Sequence, residues 1–305
     1  MTSKKKPVPR KRSSRTKTKS RTAPIGHFKR FLKAFSATAI TAFSIASCVL
    51  NPQLREQIPL EPILSQLGLP GQEQIAPRVA FSGAQVQTRF TGCAQFFPAG
   101  QPPVVPAAHA LRELCFSSFA ILHSGQTKAP VFVAQRLNRR MLTQGRGIQR
   151  TDKFYADARL PQAERAELAD YRGSGYSRGH MAPAGDMHSS EAMAQSFSLA
   201  NMVPQNQTHN AGAWSQIEND TRKYVMRAKG DVYIFTGPVL GARPKAIGEG
   251  RVAVPSHLFK VVYDATTGRS WVHWQANSAS TKVGPPISYD EFVRRTGLQL
   301  LRDKR

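Results

Sequence analysis

The chain has 305 residues, of which 40% are apolar, and a formal net charge of +24. This apolar fraction is enough for a hydrophobic core, so a wholly disordered chain is excluded, and the length allows one large domain or two small ones. The positive charge favours a polyanionic partner, above all nucleic acid, although excess lysine and arginine can also serve solubility alone.

The first 33 residues contain thirteen lysines and arginines and no acidic residue. Because apolar periodicity is absent there, residues 1–33 are predicted to be a disordered basic segment. The rest of the chain still carries 30 basic and 19 acidic residues, so the body of the protein is basic as well.

Residues 34–54 contain no charged side chain, and their apolar part is at the short limit for a membrane-spanning helix. The preceding basic block would keep the N-terminus in the cytoplasm. We therefore expect a membrane anchor or signal segment and an extracytoplasmic body, periplasmic or secreted, held at the inner membrane. The alternatives are a cleaved signal peptide, a lipid-attachment site at Cys48 and an organellar transit sequence.

Residues 55–78 have the composition of a linker, and the folded domain is predicted over residues 79–305. Near its start, Cys93 and Cys115 flank a proline-rich loop and are a candidate disulfide, which would suit an oxidising compartment. Two unpaired core thiols are the alternative.

Two apolar stretches follow and are predicted to be neighbouring strands. Cys115–His123 is almost continuously apolar, as a buried strand would be, and Pro130–Leu137 is expected to pair with it across a turn. A short helix is then predicted over Pro161–Tyr171, with proline in its first turn.

The second half of the domain mixes helices and strands without regular alternation. A long helix is predicted over Asn210–Lys229, because apolar residues recur there at three- and four-residue spacing. The last helix has Ser288 as its cap and ends at Gly297. The irregular order favours an α+β fold. The other predicted elements are a helix Ser189–Phe197, an extended piece Ser198–Pro204, a strand Asp231–Gly237, and a hairpin of Leu258–Tyr263 with Ser270–Ala276.

The run Ser177–Arg178–Gly179–His180 is the centre of the candidate site. A histidine near neutral pKa can take a proton from water, and a nearby guanidinium such as Arg178 can stabilise charge on a phosphate. Taken alone, a histidine is more often structural. Neighbouring glycines and the asparagine downstream favour a functional one.

Asn210 opens the long predicted helix, where it could cap the helix, hold a metal, or do both. An amide oxygen is a hard ligand that suits Mg²⁺, which keeps most of its own waters. On an ideal helix Glu218 and Arg222 flank the side of Asn210, so they could reach bound water and phosphate. A surface ion pair of Glu218 with Arg222 is the alternative.

The two blocks, Ser177–His180 and Asn210–Trp214 with Glu218 after it, resemble those of the sugar-non-specific DNA/RNA endonucleases, the family of endonuclease G. The resemblance extends from about Cys115 to Leu301. It implies a ββα-metal (His-Me finger) core within a layered α+β domain that has a central antiparallel sheet.

The resemblance also implies roles for individual residues. The family's general base falls on His180, and the asparagine that holds one Mg²⁺, or Mn²⁺ in its place, falls on Asn210. The helix glutamate that orients metal waters falls on Glu218. Two arginines that contact phosphate match Arg150 and Arg222.

One departure from the family pattern is Ser177, where an aspartate is usual. Its loss removes a negative charge near the metal waters but leaves the base and the direct ligand. We therefore expect an endonuclease that cuts DNA and RNA with little sequence preference and leaves 5′-phosphates. The alternatives are a nucleic-acid-binding or uptake protein with weakened catalysis, and a phosphodiesterase for small or lipid phosphates.

The partners expected from this interpretation are DNA and RNA, contacted through their phosphate backbone. The membrane, through residues 34–54, and a second copy of the chain in a homodimer are further expected partners. An inhibitor protein is neither favoured nor excluded by the sequence.

Overall fold

The structure is a computed structural model, and it describes residues 84–302. The predicted basic segment (1–33), the apolar segment (34–54) and the linker (55–78) lie outside the described residues. Within residues 84–302, no helix combines the length and the apolar character that crossing a membrane requires.

Strands and short helices are interspersed along the described chain. The strands are β1 (Gln85–Gln87), β2 (Val104–Pro106), β3 (Leu111–Cys115), β4 (Ala120–Ser124), β5 (Ala129–Leu137), β6 (Tyr176–His180), β7 (Met202–Asn206), β8 (Val232–Val239), β9 (Ala246–Ile247), β10 (Val252–Ala253), β11 (His257–Asp264) and β12 (Ser270–Ala276). The helices are α1 (Arg139–Gln144), α2 (Leu168–Tyr171), α3 (Ser190–Gln195), α4 (Gln207–His209), α5 (Ser215–Val225) and α6 (Tyr289–Thr296).

A six-stranded antiparallel sheet in the order β12–β11–β8–β5–β4–β3 forms the middle layer. Successive residues of a strand point to opposite faces. In β5, Phe132 and Ala134 accordingly pack into one core while Val133 packs into the other. Because both faces are covered, the central strands are apolar on both sides. The predicted α+β fold with a central antiparallel sheet is confirmed.

Each face of the sheet has its own core. On one face, Phe259 packs against Phe292 of α6, with ring centroids 4.8 Å apart. On the other face, the core includes Trp214 and Ile217 from the long helical stretch and Met181 from the segment after β6. The second core therefore attaches the candidate site to the sheet.

The last helix follows its local signals. The Ser288 hydroxyl accepts a hydrogen bond from the Glu291 amide at 3.1 Å, and Gly297 ends the helix with φ of 70°. Only glycine takes that left-handed conformation without steric cost, so both ends predicted from the sequence are confirmed.

The predicted strand Cys115–His123 is wrong in one respect, because the chain reverses inside it. β3 ends at Cys115 and β4 begins at Ala120, and the Phe116 amide donates to the Phe119 carbonyl at 2.9 Å in the turn between them. The Phe116 and Phe119 rings stack with centroids 4.4 Å apart. Because Phe116 and Phe119 in this turn are aromatic and buried, the sequence of the turn resembles that of a continuous buried strand.

The predicted helix Pro161–Tyr171 is interrupted. A single 3₁₀ turn, Gln162–Glu164, is separated from α2 by extended backbone at Arg165 and Glu167. The interruption places the Asp170 carboxylate where the Gly250 amide donates to it at 2.7 Å. A contact with a residue eighty positions away along the chain therefore sets this local geometry.

The predicted disulfide is present in the structure. Cys93 and Cys115 are bonded, with their Cα atoms 5.7 Å apart. Cys93 is fully buried in the core that also contains Phe90 and Phe97. The bond joins the loop at the start of the described chain to the end of the sheet-edge strand β3.

Candidate functional site

Strands β6 and β7 form a two-stranded antiparallel hairpin that leads directly into the helical stretch from Gln207 to Val225. His180 ends β6 opposite Met202, and Ser177 lies opposite Gln205. The first sequence block thus lies on β6, and the second, Asn210–Trp214, lies in the helical stretch that follows the paired strand β7. This is the ββα arrangement that the family resemblance implied.

Gly179 allows the two strands of the hairpin to approach closely. A β-carbon at this position would lie 2.1 Å from Gln205 Oε1 and 2.6 Å from Gln205 Cβ. The fully buried Gln205 amide in turn lies 3.1 Å from Nδ1 of the buried His209. Gly179, Gln205 and His209 therefore link β6 to the residue just before Asn210. None of the sequence signals pointed to Gln205 or His209.

Asn210 does not cap the helix, as one interpretation of the sequence proposed. The cap is Asn206, whose side chain accepts a hydrogen bond from the His209 amide at 3.1 Å. Asn210 instead begins a π-helical turn, Asn210–Trp214, between α4 and α5. π-Helical turns insert an extra residue and are frequent at functional sites. The half-exposed amide of Asn210 is therefore free for a role other than capping.

A polar cavity of about 600 Å³ opens beside the hairpin. Asn210 and Ser177 line it together with two of the predicted functional arginines, Arg150 and Arg178. Arg150 comes from a loop sixty residues before Asn210, so the fold brings together groups that are far apart in sequence. Of the residues predicted to contact phosphate or metal, Arg150, Arg178 and Asn210 share one concave surface. Glu218 and Arg222 do not line it.

His180 lies at this site between two aromatic rings. Its ring is 5.1 Å from the Phe197 ring in an edge-on arrangement and 5.8 Å from the Phe154 ring. Its Nε2 atom is buried and has no hydrogen-bond partner among the described residues. Burial lowers the pKa of His180 to about 3, and the nearby Arg150 guanidinium also lowers it. The imidazole is therefore neutral at physiological pH, but its pKa lies well below the near-neutral value expected from the sequence, because burial disfavours the charged ring.

Aromatic rings and a carboxylate hold the two arginines of the cavity in place. The Arg178 guanidinium lies over the Phe154 ring at 4.0 Å, and the Arg150 guanidinium lies 5.0 Å from the Phe197 ring centroid. Arg150 also donates to the exposed Asp152 carboxylate at 2.6 Å. Exposed ion pairs of this kind are weak, so Arg150 remains available to a phosphate.

Glu218 and Arg222 lie farther along α5 and do not line the cavity. Arg222 forms an ion pair with the buried Asp186 at 2.8 Å and donates to Asn219 at 2.6 Å. Burial raises the pKa of Glu218 to about 7, while Lys260 and Arg222 lower it and Asp186 raises it. These residues form a second charged group that does not line the cavity, rather than the simple surface pair of Glu218 with Arg222.

Lys260 is a member of this charged group that the sequence analysis missed. It lies on the inner strand β11, is only 1% exposed, and donates to Thr236 Oγ1 at 2.8 Å. Its ammonium group is 5.5 Å from the Trp214 ring centroid. Burial lowers the pKa of Lys260, and Glu218 and Asp186 raise it. The sequence signal that could have revealed Lys260 is a charged residue within an otherwise apolar strand.

The donor atoms at the cavity fit a hard cation that keeps most of its waters. Asn210 supplies an amide oxygen and Ser177 a hydroxyl. Within residues 84–302, no group of three or more His, Cys, Asp or Glu side chains converges as a metal site. Such a donor set suits Mg²⁺ better than Zn²⁺, which takes several histidine or cysteine ligands.

The family model described as DNA/RNA non-specific endonuclease matches residues 102–300. The mitochondrial nuclease EXOG of Xenopus laevis is 38% identical over 196 residues, which covers 61% of this chain and 54% of that protein. Mitochondrial endonuclease G of Bos taurus is 31% identical over 227 residues, covering 70% of this chain and 68% of that protein.

The chain spans about half the length of the curated EXOG relatives it matches. Among solved structures, a chain of the EndoG/EndoGI complex superposes with a TM-score of 0.57 at 24% identity, covering 69% of this chain and 90% of that chain. This likeness shows the fold, which agrees with the ββα unit on the antiparallel sheet.

These relatives correct the expected location. An extracytoplasmic protein anchored at the inner membrane was predicted from residues 34–54, yet several matching relatives are named as mitochondrial nucleases. In residues 84–302, too, no helix is suited to spanning a membrane. An uncharged apolar stretch behind a basic block was therefore insufficient to assign that location. The predicted membrane contact itself falls outside the described residues.

The matched span covers the β6–β7 hairpin, the π turn and the sheet behind them, so one family accounts for both the fold and the site. The chain belongs to the DNA/RNA non-specific endonuclease family.

Proposed function

We propose that this protein is a metal-dependent endonuclease that hydrolyses phosphodiester bonds of DNA and RNA with little sequence specificity and leaves 5′-phosphate ends. The observation that carries the proposal is the convergence of Arg150, Arg178 and Asn210 on one cavity, with the neutral His180 beside them.

His180 acts as the general base in this proposal. A phosphodiester resists water because the attacking water must lose a proton as it bonds to phosphorus. The imidazole is neutral over the whole physiological range, and its unpartnered Nε2 atom is the group that accepts that proton in this proposal. Phe154 and Phe197 fix the plane of the ring, which favours one direction of proton transfer.

Arg150 and Arg178 bind the phosphate on either side of the reacting group. Their guanidinium groups offer several donors in a fixed plane, which matches the geometry of phosphate oxygens. Asn210 would hold the Mg²⁺ or Mn²⁺ ion, which supplies positive charge to the developing phosphorane and the leaving 3′-oxygen. Arg222 is already paired with Asp186, so its role is to fix the Asp186 loop against α5 before any contact with substrate.

Low sequence specificity follows from the kind of group in the cavity. Arginines and a metal-binding amide contact phosphate and sugar, which are the same at every nucleotide. Both DNA and RNA are therefore substrates in this proposal.

Incubation of the full-length protein with supercoiled plasmid and with structured RNA tests the proposal, in Mg²⁺, Mn²⁺ and EDTA. We expect metal-dependent cutting of both substrates, with 5′-phosphate ends. His180→Ala should lower the rate at least 100-fold, since a positioned base typically contributes a factor of about 10² to 10⁴. His257→Ala, in a β11 histidine whose ring packs near Trp274 instead of near Phe154 and Phe197, is the matched control.

Ser177→Asp tests the departure from the family pattern. If the natural protein binds nucleic acid without cutting it and only Ser177→Asp cuts, the function is binding and the nuclease proposal fails for the natural chain. If His180→Ala cuts as fast as the natural protein, His180 is not the general base.

A further inference from the structure

The segment that leads from β5 to Arg150 carries positive charge without any negative charge. Between Glu113 and Asp152 the chain has no acidic residue. Arg139, Arg140 and Arg146 of this segment are exposed, and none of the three has an ion-pair partner among residues 84–302. Surfaces usually mix both signs of charge, and a surface of one sign attracts ions of the other.

Apolar side chains of the same segment hold it against the body of the protein. Leu142 packs against the cluster that contains Leu137 and Val232, and Ile148 packs against the core beneath the candidate site. A β-carbon at Gly145 would lie 2.4 Å from the Met187 carbonyl oxygen, so the loop after β6 lies directly against the segment. The exposed arginines therefore stand on a fixed backbone, which a ligand need not order when it binds.

Basic residues stand at both ends of the segment. At its far end, Arg139 and Arg140 line a second cavity of about 390 Å³ together with Lys229, which follows α5. At its near end, Arg150 lines the cavity of the candidate site. The segment thus joins two basic concave surfaces, with Arg146 exposed between them.

The single carboxylate of the second cavity is occupied by other groups. Among the described residues that line this cavity, Asp231 is the only acidic one; it accepts from Asn138 at 2.8 Å and lies 3.8 Å from Arg136. Burial lowers the pKa of the neighbouring His188, and Arg136 and Arg140 lower it further. The surface therefore remains positive, and its exposed arginines can bind an anion.

The length of the segment favours a polymeric anion. The six residues of α1 extend about 9 Å, and the six from Gly145 to Arg150 extend at most about 21 Å. Along a duplex, the phosphates of one strand follow one another at about 3.4 Å. A backbone could thus follow the segment for up to about nine nucleotides, whereas a small phosphate would meet only one end.

We propose that Arg139, Arg140, Arg146 and Lys229 form a backbone-binding surface, which holds the phosphates of a nucleic acid at some distance from the bond that is cut. This inference rests on the proposed function, since it assumes that the scissile phosphate lies at Arg150 and Arg178. It adds a substrate contact outside the cavity, made by charge and independent of base sequence.

The test measures binding in EDTA, where a metal-dependent enzyme cuts nothing. Fluorescence anisotropy of the full-length protein with a labelled 24-base-pair duplex is recorded between 50 and 200 mM salt. Each phosphate contact accounts for about a 3.5-fold loss of affinity over this range. For Arg139→Ala/Arg140→Ala the loss should therefore be about 12-fold smaller than for the natural protein, and for Arg146→Ala about 3.5-fold smaller.

Two variants control for charge and for structure. Arg294→Ala/Arg295→Ala removes an equal pair of adjacent arginines from α6, which covers the opposite face of the sheet, and should bind like the natural protein. Arg139→Lys/Arg140→Lys keeps both charges and should keep the natural salt dependence.

Plasmid cutting in Mg²⁺ gives a second measurement. Arg139 and Arg140 do not line the cavity of the candidate site, so Arg139→Ala/Arg140→Ala should raise KM and leave kcat within about twofold. A merely destabilised protein would instead lose kcat in proportion to the unfolded fraction.

The inference is overturned if Arg139→Ala/Arg140→Ala keeps the natural salt dependence, or if the α6 variant loses as much of it. These outcomes are separable from failure of the proposed function. If the natural protein cuts plasmid and the α1 variant has natural KM and salt dependence, the nuclease stands and the surface fails. If the protein cuts nothing but the α1 variant alone loses salt dependence, the surface stands and the nuclease fails.

Discussion

At the scale of single residues, His180 beside the cavity and Glu218, which does not line it, have pKa values shifted in opposite directions. Burial lowers the pKa of His180 to about 3 and raises that of Glu218 to about 7. His180 is thus neutral throughout the range in which Glu218 changes charge. The acid side of the pH dependence should report the carboxylate rather than the imidazole.

We expect kcat/KM, which reports groups of the free enzyme, to fall as pH decreases through about 7. The sign follows from Glu218, which is an anion above its pKa and neutral below it. The family resemblance gives Glu218 the role of orienting metal-bound water, so Glu218→Gln should abolish this transition and give a low rate at every pH. A transition near pH 6.5 that survives in Glu218→Gln would contradict the assignment.

A substitution of Lys260 tests whether the pH transition belongs to Glu218. Its ammonium lowers the pKa of Glu218, so Lys260→Met should move the transition to higher pH. Lys282→Met, which removes an exposed ammonium, is the matched control and should leave the transition unchanged. Circular dichroism would establish that Lys260→Met is folded.

At the scale of secondary-structure elements, the hairpin β6–β7 depends on the missing side chain of Gly179. A methyl group there overlaps Gln205, which is fully buried and cannot move aside. Forcing extra volume into a packed interior costs about 1–3 kcal/mol. Because His180 is the next residue, strain at Gly179 would also displace the base.

Gly179→Ala should therefore lower the free energy of unfolding by about 2 kcal/mol in urea titration and reduce the nuclease rate by more than that loss of folded protein explains. Shortening the partner in the double variant Gly179→Ala/Gln205→Ala should recover part of the stability. Gly241→Ala, where an added methyl meets nothing within 4 Å, is the control. Equal behaviour of the two glycine variants would refute this account.

At the scale of the whole molecule, the Cys93–Cys115 bond holds the loop at the start of the described chain against the sheet edge. The bond closes a loop with a sequence separation of 22 residues. A cross-link of this size restricts the unfolded chain and stabilises the fold by about 3 kcal/mol. The candidate site lies on the other core, so the bond contributes to stability rather than to chemistry.

The double variant Cys93→Ser/Cys115→Ser should show a lower Tm in calorimetry, while nuclease activity at 25 °C stays within about twofold of the natural protein. The natural protein measured with a strong reductant should show the same decrease. Unchanged Tm in both samples would mean that the bond contributes nothing to the fold.

Local sequence patterns determined the elements whose signals lie within a few residues. Ser288 and Gly297 determined the two ends of α6, and the family resemblance carried by the two spaced motifs implied the ββα unit. The net positive charge and the two motifs also predicted the family. These inferences succeeded because capping, turn and motif chemistry depend on neighbours along the chain.

Tertiary structure decided what depends on residues distant in sequence. It brought Arg150 to the cavity that Asn210 lines, made Asn206 rather than Asn210 the helix cap, and placed Glu218 near Lys260 among residues that do not line that cavity. It also turned the apolar run at Phe116–Phe119 into a reversal between two strands. The physical reason is the same in each case: packing against the sheet, which only the folded chain supplies, selects among local structures that the sequence alone leaves nearly equal in free energy.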